Sequence, residues 1–523
     1  MKFRHLLVAS GILLAGHVFA QAPTKQWDRT LGGSDEERLA GIQTTRDGGS
    51  ILVGASASPR SGDKTQDGQG TDDAWVVKID AQGRKQWDRT LGGSDYDGAI
   101  SVQQTADGGY LVGAQSTSPN SGDKTQASQG NVDYWVIKLD AQGHTQWDRT
   151  LGGSGSDALV SVLTTADGGY LLGGTSSSAA SGDKTEASWG RSDYWVVKLD
   201  SQGAKQWDRT LGGTGQEVFS SMQQTVDGGY LLGGYSASNI SGDKTQASQG
   251  GIDYWLVKLN GQGATQWDRT LGGDSNDYLR ELQLTADGGA LLAGSSLSGA
   301  SGDKSQPNLG LRDYWLVQVD AQGNKQWDRS YGTDKEDYLA GVTLTQDGGC
   351  LLGGNDFSTY SVLKLDAHGS KQWEQTLRAG DSYTQLVQVR TAADGGYLLA
   401  GMSTGDAVGN KSEPSRGGEF YGDYWLVKLS STVLTNQSAP ARDAWRVYPN
   451  PAQGSFTVQL PADAPSVGLQ LQLVDALGRS VLRQQLPAAT VVNVSVGAVP
   501  AGLYWLRLSG PPSYQATQRI VLE

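Results

Sequence analysis

Cysteine is almost missing from this chain. Cys350 is the single one among 523 residues, so no intrachain disulfide can form. It stands in "DGGCLLGG", where sister segments carry Tyr, and reads as a small buried strand residue, not a reactive thiol. Histidine is scarce as well. Only four occur, and two of them fall in the first twenty residues, which leaves His144 and His368. Both sit in or beside short turns on the side opposite the acidic loops described below. A Ser-His-Asp or Cys-His arrangement thus lacks a base, and a His-ligated zinc or iron site lacks ligands. No phosphate loop or dinucleotide motif occurs in context; the Gly-Gly pairs end strands or make hairpins. No catalytic residue is assigned. Positive charge is in deficit, with a formal net charge of −13, which argues against a nucleic-acid partner. Such a surface suits cations or neutral ligands such as glycans.

Long apolar runs are absent after the first twenty residues, so no membrane-spanning segment is expected. The opening "MKFRHLLVASGILLAGHVFA" carries Lys2 and Arg4, an apolar run, then Val18-Phe19-Ala20. This is the pattern of a secretory signal peptide (residues 1–20), with cleavage expected after Ala20. No Cys follows it to take a lipid anchor. Its removal makes the mature chain still more acidic.

What the chain has in quantity is repetition and glycine, 74 residues of it. "QWDRTLGG" recurs at Trp27, Trp87, Trp147, Trp207 and Trp267, with variants at Trp327 and Trp373. "DGG" before an apolar run recurs from Asp47 to Asp394, and "DYWLVKL"-like segments from Asp73 to Asp423. Each marker appears seven times, about sixty residues apart. Inside a unit the period is two. In "DYWVIKLD", Trp135, Ile137 and Leu139 point one way, and Tyr134, Val136 and Lys138 the other. "SVQQT", "GYLVGAQS", "DYWVIKLD" and "TQWDRTLGG" give four strands, with tight turns at "ADGG" and "DAQG". Four antiparallel strands repeated seven times predict an all-β, seven-bladed β-propeller over residues 24–430. A lone "KQWDRT" strand opens the mature chain and a lone "DYWLVKLS" strand ends the repeats. The first should complete the last blade and seal the ring. An open solenoid is the rival arrangement.

Alternating strand direction puts the "SGDKT" loops and the blade connections on one face. Around that rim fall Asp35, Glu36, Asp63, Asp95, Asp97, Asp123, Asp157, Asp183, Asp243, Asp277, Asp303, Asp334 and Asp337. The simplest reading of "SGDKT" is a solvated loop whose Asp and Lys cap turns and pair weakly. Ca²⁺ binding is a second reading, without the spacing of a dedicated calcium loop, and ligand contact a third. The candidate ligand contacts are Asp123, Lys124, Asp183, Trp189, Asp243, Phe420 and Tyr421. Trp189 stands where sister loops carry Gln129 and Gln249, and Phe420 and Tyr421 lie in an expanded seventh loop. Unit six has no such loop. The repeated strand tryptophans are assigned to packing between blades, and the Arg of "WDRT" to pairing with carboxylates. Beyond the possible Ca²⁺, no cofactor is expected.

Three resemblances bear on the repeats. "KLDAQGNKQWDRSYG" resembles the tryptophan-docking repeat of quinoprotein dehydrogenase propellers, without matching cofactor-pocket residues. "TADGGY" is similar to part of the Asp-box of sialidases, without its later aromatic residue. The whole unit resembles sixty-residue propeller repeats of Bacteroidota-type surface proteins, most without an assigned function. A carbohydrate-active hydrolase or a degenerate quinoprotein-like enzyme is therefore the alternative to a binding or adhesion scaffold.

After Leu429 the repeat stops. Residues 431–442 read as a polar linker, and 443–523 as short strands separated by Gly and Pro turns, a small Ig-like β-sandwich. The order of motifs resembles the type A sorting domain of the type IX secretion system. The matched residues are Tyr448, Pro449, Asn450 and Pro451; Asp475 with Gly478 and Arg479; Gly502, Leu503 and Tyr504; and the terminal strand Ile520–Leu522. Arg519 replaces a common Lys. The resemblance implies engagement of the type IX machinery, then release or display at the outer-membrane surface of a Gram-negative cell. A monomer is expected, with a glycan or a surface protein as its ligand.

Overall fold

The computed structural model describes residues 22–380, 382–418, 420–431, 446–460, 468–475, 479–487, 489, 491–510 and 514–523. The expected signal peptide (1–20), the expected linker 431–442 beyond its first residue, residues 443–445 and Gly478 lie outside them. The chain divides into two compact units, residues 1–434 and 435–523. Among the described residues every helix or strand is a strand.

The larger unit holds seven four-stranded antiparallel sheets. Sheet two is typical, with strands Asp97–Gln104, Tyr110–Ser116, Asp133–Leu139 and Thr145–Leu151 in that order. Its first strand starts four residues earlier than "SVQQT" indicates. Asp97–Ala99 pair with Ser116–Ala114 on the far side of a bulge between Ala99 and Ser101, which breaks the alternation in the sequence. The "ADGG" turn closes through Gly108 at φ 86°, a conformation that would strain any residue with a Cβ.

Every residue of Asp133–Leu139 is buried, because the strand feeds two cores at once. Trp135, Ile137 and Leu139 pack toward sheet one, with Ile51 and Val76. Tyr134 and Val136 pack toward sheet three, with Leu159 and Trp195. The period of two thus assigns alternate side chains to successive inter-sheet cores. Hydrogen bonds cross the same interfaces: the hydroxyls of Tyr134, Tyr194 and Tyr254 donate to the carbonyls of Trp195, Trp255 and Trp315 at 2.9, 3.1 and 3.0 Å.

The packing returns to its start. Sheet seven contains Thr384–Thr391, Tyr397–Ser403 and Asp423–Leu429, and its fourth strand is the N-terminal Lys25–Leu31. Leu398, Tyr424 and Leu426 of that sheet share a core with Leu39, Leu52 and Trp75 of sheet one. Cys350 is a buried residue opening a strand of sheet six.

The smaller unit packs a three-stranded sheet and a four-stranded sheet around one core containing Val447, Phe456, Leu471, Tyr504 and Ile520.

Candidate functional site

In the "SGDKT" loop the Gly and Thr are exposed and the Ser and Asp half-buried, but the Lys is not solvated, which corrects the reading of that residue. Lys124 is 1% exposed. Its ammonium donates to the carbonyls of Ser118 and Gln126 at 3.0 and 2.7 Å and to the Ser128 hydroxyl at 3.1 Å. Lys64, Lys184, Lys244 and Lys304 are buried in the same way. Lys124 is therefore withdrawn as a ligand contact, since its three N–H groups are used inside the loop. Asp123 accepts from the Gly92 N–H at 3.3 Å and its own N–H donates to the Gly92 carbonyl at 2.8 Å. Each loop thereby ties its sheet to the exit of the preceding one. Thr125 completes the set, bonding Asp148 of "WDRT" through its N–H and hydroxyl at 3.0 and 2.6 Å. Asp148 also accepts the buried Trp135 indole N–H at 2.9 Å. Loop Thr, strand Asp and strand Trp are one structural set. Sheet six lacks the loop, and there Glu374 and Ser361 replace the Asp and the Trp.

The acidic rim also changes meaning. Asp97, Asp157 and Asp277 are fully buried. At six junctions the Asp of "DYW" lies beside the acid that opens the next sheet: Asp73 with Asp97, Asp133 with Asp157, Asp193 with Glu217, Asp253 with Asp277, Asp313 with Asp337, and Asp423 with Glu37. Burial, then the neighbouring carboxyl, pushes Asp193 up to about 7, and burial pushes Asp133 and Asp253 up to about 6. Asp193 lies against Glu217, and this neighbouring carboxyl favours the protonated form of Asp193. At the junction of sheets six and seven both acids are Thr, Thr359 and Thr384. Among the described residues no group of three or more His, Cys, Asp or Glu is placed to hold a metal ion, so the Ca²⁺ reading finds no such ligand set.

The remaining candidates diverge. Asp183 and Asp123 accept the Gln129 and Gln69 side-chain amides across sheet junctions. Trp189 replaces that Gln beside Asp243, and 60% of it stays exposed. Phe420 is 87% exposed and Tyr421 43%. The Arg of "WDRT" pairs with a carboxylate in two copies, Arg29 with Glu413 at 3.9 Å and Arg209 with Glu186 at 3.8 Å, whereas Arg89 donates to the carbonyls of Asp88, Gln142 and Gly143 and lies 5.5 Å over the Trp87 ring.

A feature the repeat pattern did not reveal is a polar cavity of about 570 Å³ lined by the first strands of all seven sheets. Gln43, Gln103 and Gln223 bridge adjacent strands there by accepting from Gln104, Thr164 and Leu284 N–H groups. Glu281 pairs with Arg390 at 3.2 Å.

In the smaller unit Asn450 bonds the last strand twice. Its amide donates to the Arg519 carbonyl and its oxygen accepts from Val521 N–H, both at 2.9 Å. Asp475 pairs with Arg479 at 2.8 Å, and the Tyr504 hydroxyl donates to Pro500 O at 2.8 Å. Tyr448, Pro449, Pro451 and Arg519 are exposed.

Residues 446–523 match the model of the secretion system C-terminal sorting domain. The chain carries a type IX sorting domain, and with it the address of an exported or surface protein. The regulatory protein FlaEY of Caulobacter vibrioides is 24% identical over 435 residues, covering 75% of this chain and 43% of that protein. The chain thus spans less than half of that relative's length. Among solved structures, PorZ is described as an essential surface component of the type IX secretion system of Porphyromonas gingivalis. The match covers 94% of this chain and 60% of that one, at 11% identity and a TM-score of 0.39. A protein of unknown function from Dyadobacter fermentans matches over 78% of this chain and 99% of its own, at 11% identity and a TM-score of 0.40. Among the described residues no helix is long and apolar enough to cross a membrane.

Proposed function

We propose that the larger unit is a seven-bladed β-propeller working as a binding or adhesion scaffold. The smaller is an Ig-like sorting domain that delivers it to the outer surface of a Gram-negative cell or beyond. The sorting-domain match at residues 446–523 carries this reading. The seven sheets, the N-terminal strand in the last of them and the sevenfold cavity support the propeller. The ligand, glycan or protein, docks on the loop face. Trp189, Phe420 and Tyr421 offer surface to it, whereas Asp123, Asp183 and Asp243 hold the loops in register.

Export is tested by deleting residues 446–523 in a host with a type IX apparatus. The truncated chain should accumulate in the periplasm while the full chain reaches the surface. Normal surface display of the truncation removes the proposed route. The scaffold is tested by incubating the purified chain with soluble polysaccharides. Retention without product supports it, and turnover makes the protein an enzyme.

A further inference from the structure

On the loop face the gap left by the missing sixth loop holds a line of aromatic side chains. Tyr235 and Tyr278 meet edge to face at 5.2 Å. The Arg312 guanidinium lies 5.1 Å over Tyr278 and 4.8 Å over Tyr338. Tyr338 packs on Phe357 at 5.3 Å, and Phe357 stacks on Tyr383 at 6.1 Å and 17°. The line runs from sheet four to sheet seven. Nothing like it forms on the other side of the ring, because the positions equivalent to Tyr278 are Arg38, Gly98, Ala158 and Val218.

Phe357 is the informative member. It has φ 64°, the only positive value for a non-glycine among the described residues. A turn selected for folding alone would place Gly or Asn there. Asp356 holds the turn by accepting from Ser358 N–H and from the Ser358 and Thr359 hydroxyls. The Phe357 carbonyl accepts from Thr384 N–H at 3.1 Å. The strained backbone thus presents a ring that remains 42% exposed, beside Tyr383 at 43%. Polar groups edge the line: the Tyr338 hydroxyl donates to Glu336 at 2.6 Å and that of Tyr383 to Gln385 at 3.0 Å.

We infer that this line is a platform for a neutral, equatorially linked polysaccharide, whose flat C–H faces stack on the rings while Glu336, Gln385 and Asp356 bond its hydroxyls. Several rings in a row fit an extended chain and not a single sugar. The carboxylates of Glu336 and Asp356 beside the line, in a chain of net charge −13, disfavour acidic glycans. The inference rests on the scaffold reading and names its ligand class.

The test is affinity electrophoresis of the mature full chain in gels containing hydroxyethyl cellulose, β-1,4-glucomannan or alginate. The two neutral polymers should retard the protein and alginate should not. Phe357→Gly removes the ring and relaxes the turn, so retardation should weaken by about tenfold or more with Tm unchanged or raised. Tyr383→Ala should weaken it similarly. Retardation that survives both changes but disappears in Trp189→Ala overturns the platform and leaves the scaffold reading standing. Retardation by alginate alone, or by no polymer, overturns the ligand class, and the export test above still judges that reading separately. A lower Tm with unchanged retardation in Phe357→Gly makes the ring structural and also sinks the inference.

Discussion

Asp28→Ala should destabilise the larger unit by about 3 kcal/mol or more, measured by denaturant unfolding. Asp28 is 2% exposed and lies on the N-terminal strand. It accepts from Lys25 Nζ at 2.6 Å, from Ser412 N–H at 2.7 Å and from the Trp425 indole at 3.2 Å. Removing it leaves the buried Trp425 indole and the partly buried Ser412 N–H without partners. Burial pushes its carboxyl up, but these bonds pull it further down, below the ordinary range. Its contribution is therefore present above about pH 4 and fades as pH falls below that. Closure adds to the cost. The other strands of the seven sheets join their neighbours through short turns or single loops. This one joins residues 25–31 to 423–429, and closing a loop of that length costs about 5 kcal/mol of chain entropy. The pairing of Lys25–Leu31 with Asp423–Leu429 is thus the strand contact whose opening releases the most chain entropy. Asp28→Asn keeps acceptors for Ser412 and Trp425 and should lose less than half as much. An Asp28→Ala protein within about 1 kcal/mol of the parent would show that the seam does not depend on this side chain.

The repeated four-stranded sheets were readable in the sequence because their determinants are local and repeated. Strand alternation, turn glycines such as Gly108 and the unpaired strands at either end all belong to short segments whose meaning does not depend on distant neighbours. The sorting domain was readable because its residues fall in a fixed order. The interior of the loop face was not. Lys124 and Asp97 are residue types that favour water, and only the closed junction shows that carbonyls and a second carboxyl surround them. The lysine at the same place in five loops was the available signal, since a solvated loop has no reason to keep one. The aromatic line was hidden for a different reason. Tyr278, Tyr338, Phe357 and Tyr383 come from three repeats, and the space they share exists because a loop is missing.

Stability of the larger unit should peak near pH 4–5 and fall toward pH 7, an unusual profile for so acidic a protein. Three sets of groups act. Partial burial pushes Asp47, Asp107 and Asp167 up, but bonds from Thr hydroxyls and from Lys78, Lys138 and Lys198 bring them down to about 2, and Asp227 likewise through Thr225 and Lys258. Their contribution is lost as pH falls below about 4. Burial holds Asp133 and Asp253 up at about 6, and Asp193 and Asp423 at about 7. The folded state therefore binds more protons than the unfolded chain between about pH 4 and 7, and stability declines across that window. Burial also lowers Lys244 and Lys411 to about 8, so part of the loss returns as pH rises from 8 toward 10.5. Asp193→Asn isolates one pair. The Asn oxygen still accepts from Trp189 N–H, as Asp193 does, and its uncharged amide offers N–H groups to the neighbouring Glu217 carboxyl. The variant should match the parent at pH 4 and exceed it by about 1–2 kcal/mol at pH 8, less than the full shift because the junction relaxes. Thermal unfolding of both proteins across this range decides it. A parent profile rising from pH 4 to 8, or an Asp193→Asn protein weaker than the parent at pH 8, would mean that the paired carboxyls ionise freely and that water reaches the sheet junctions.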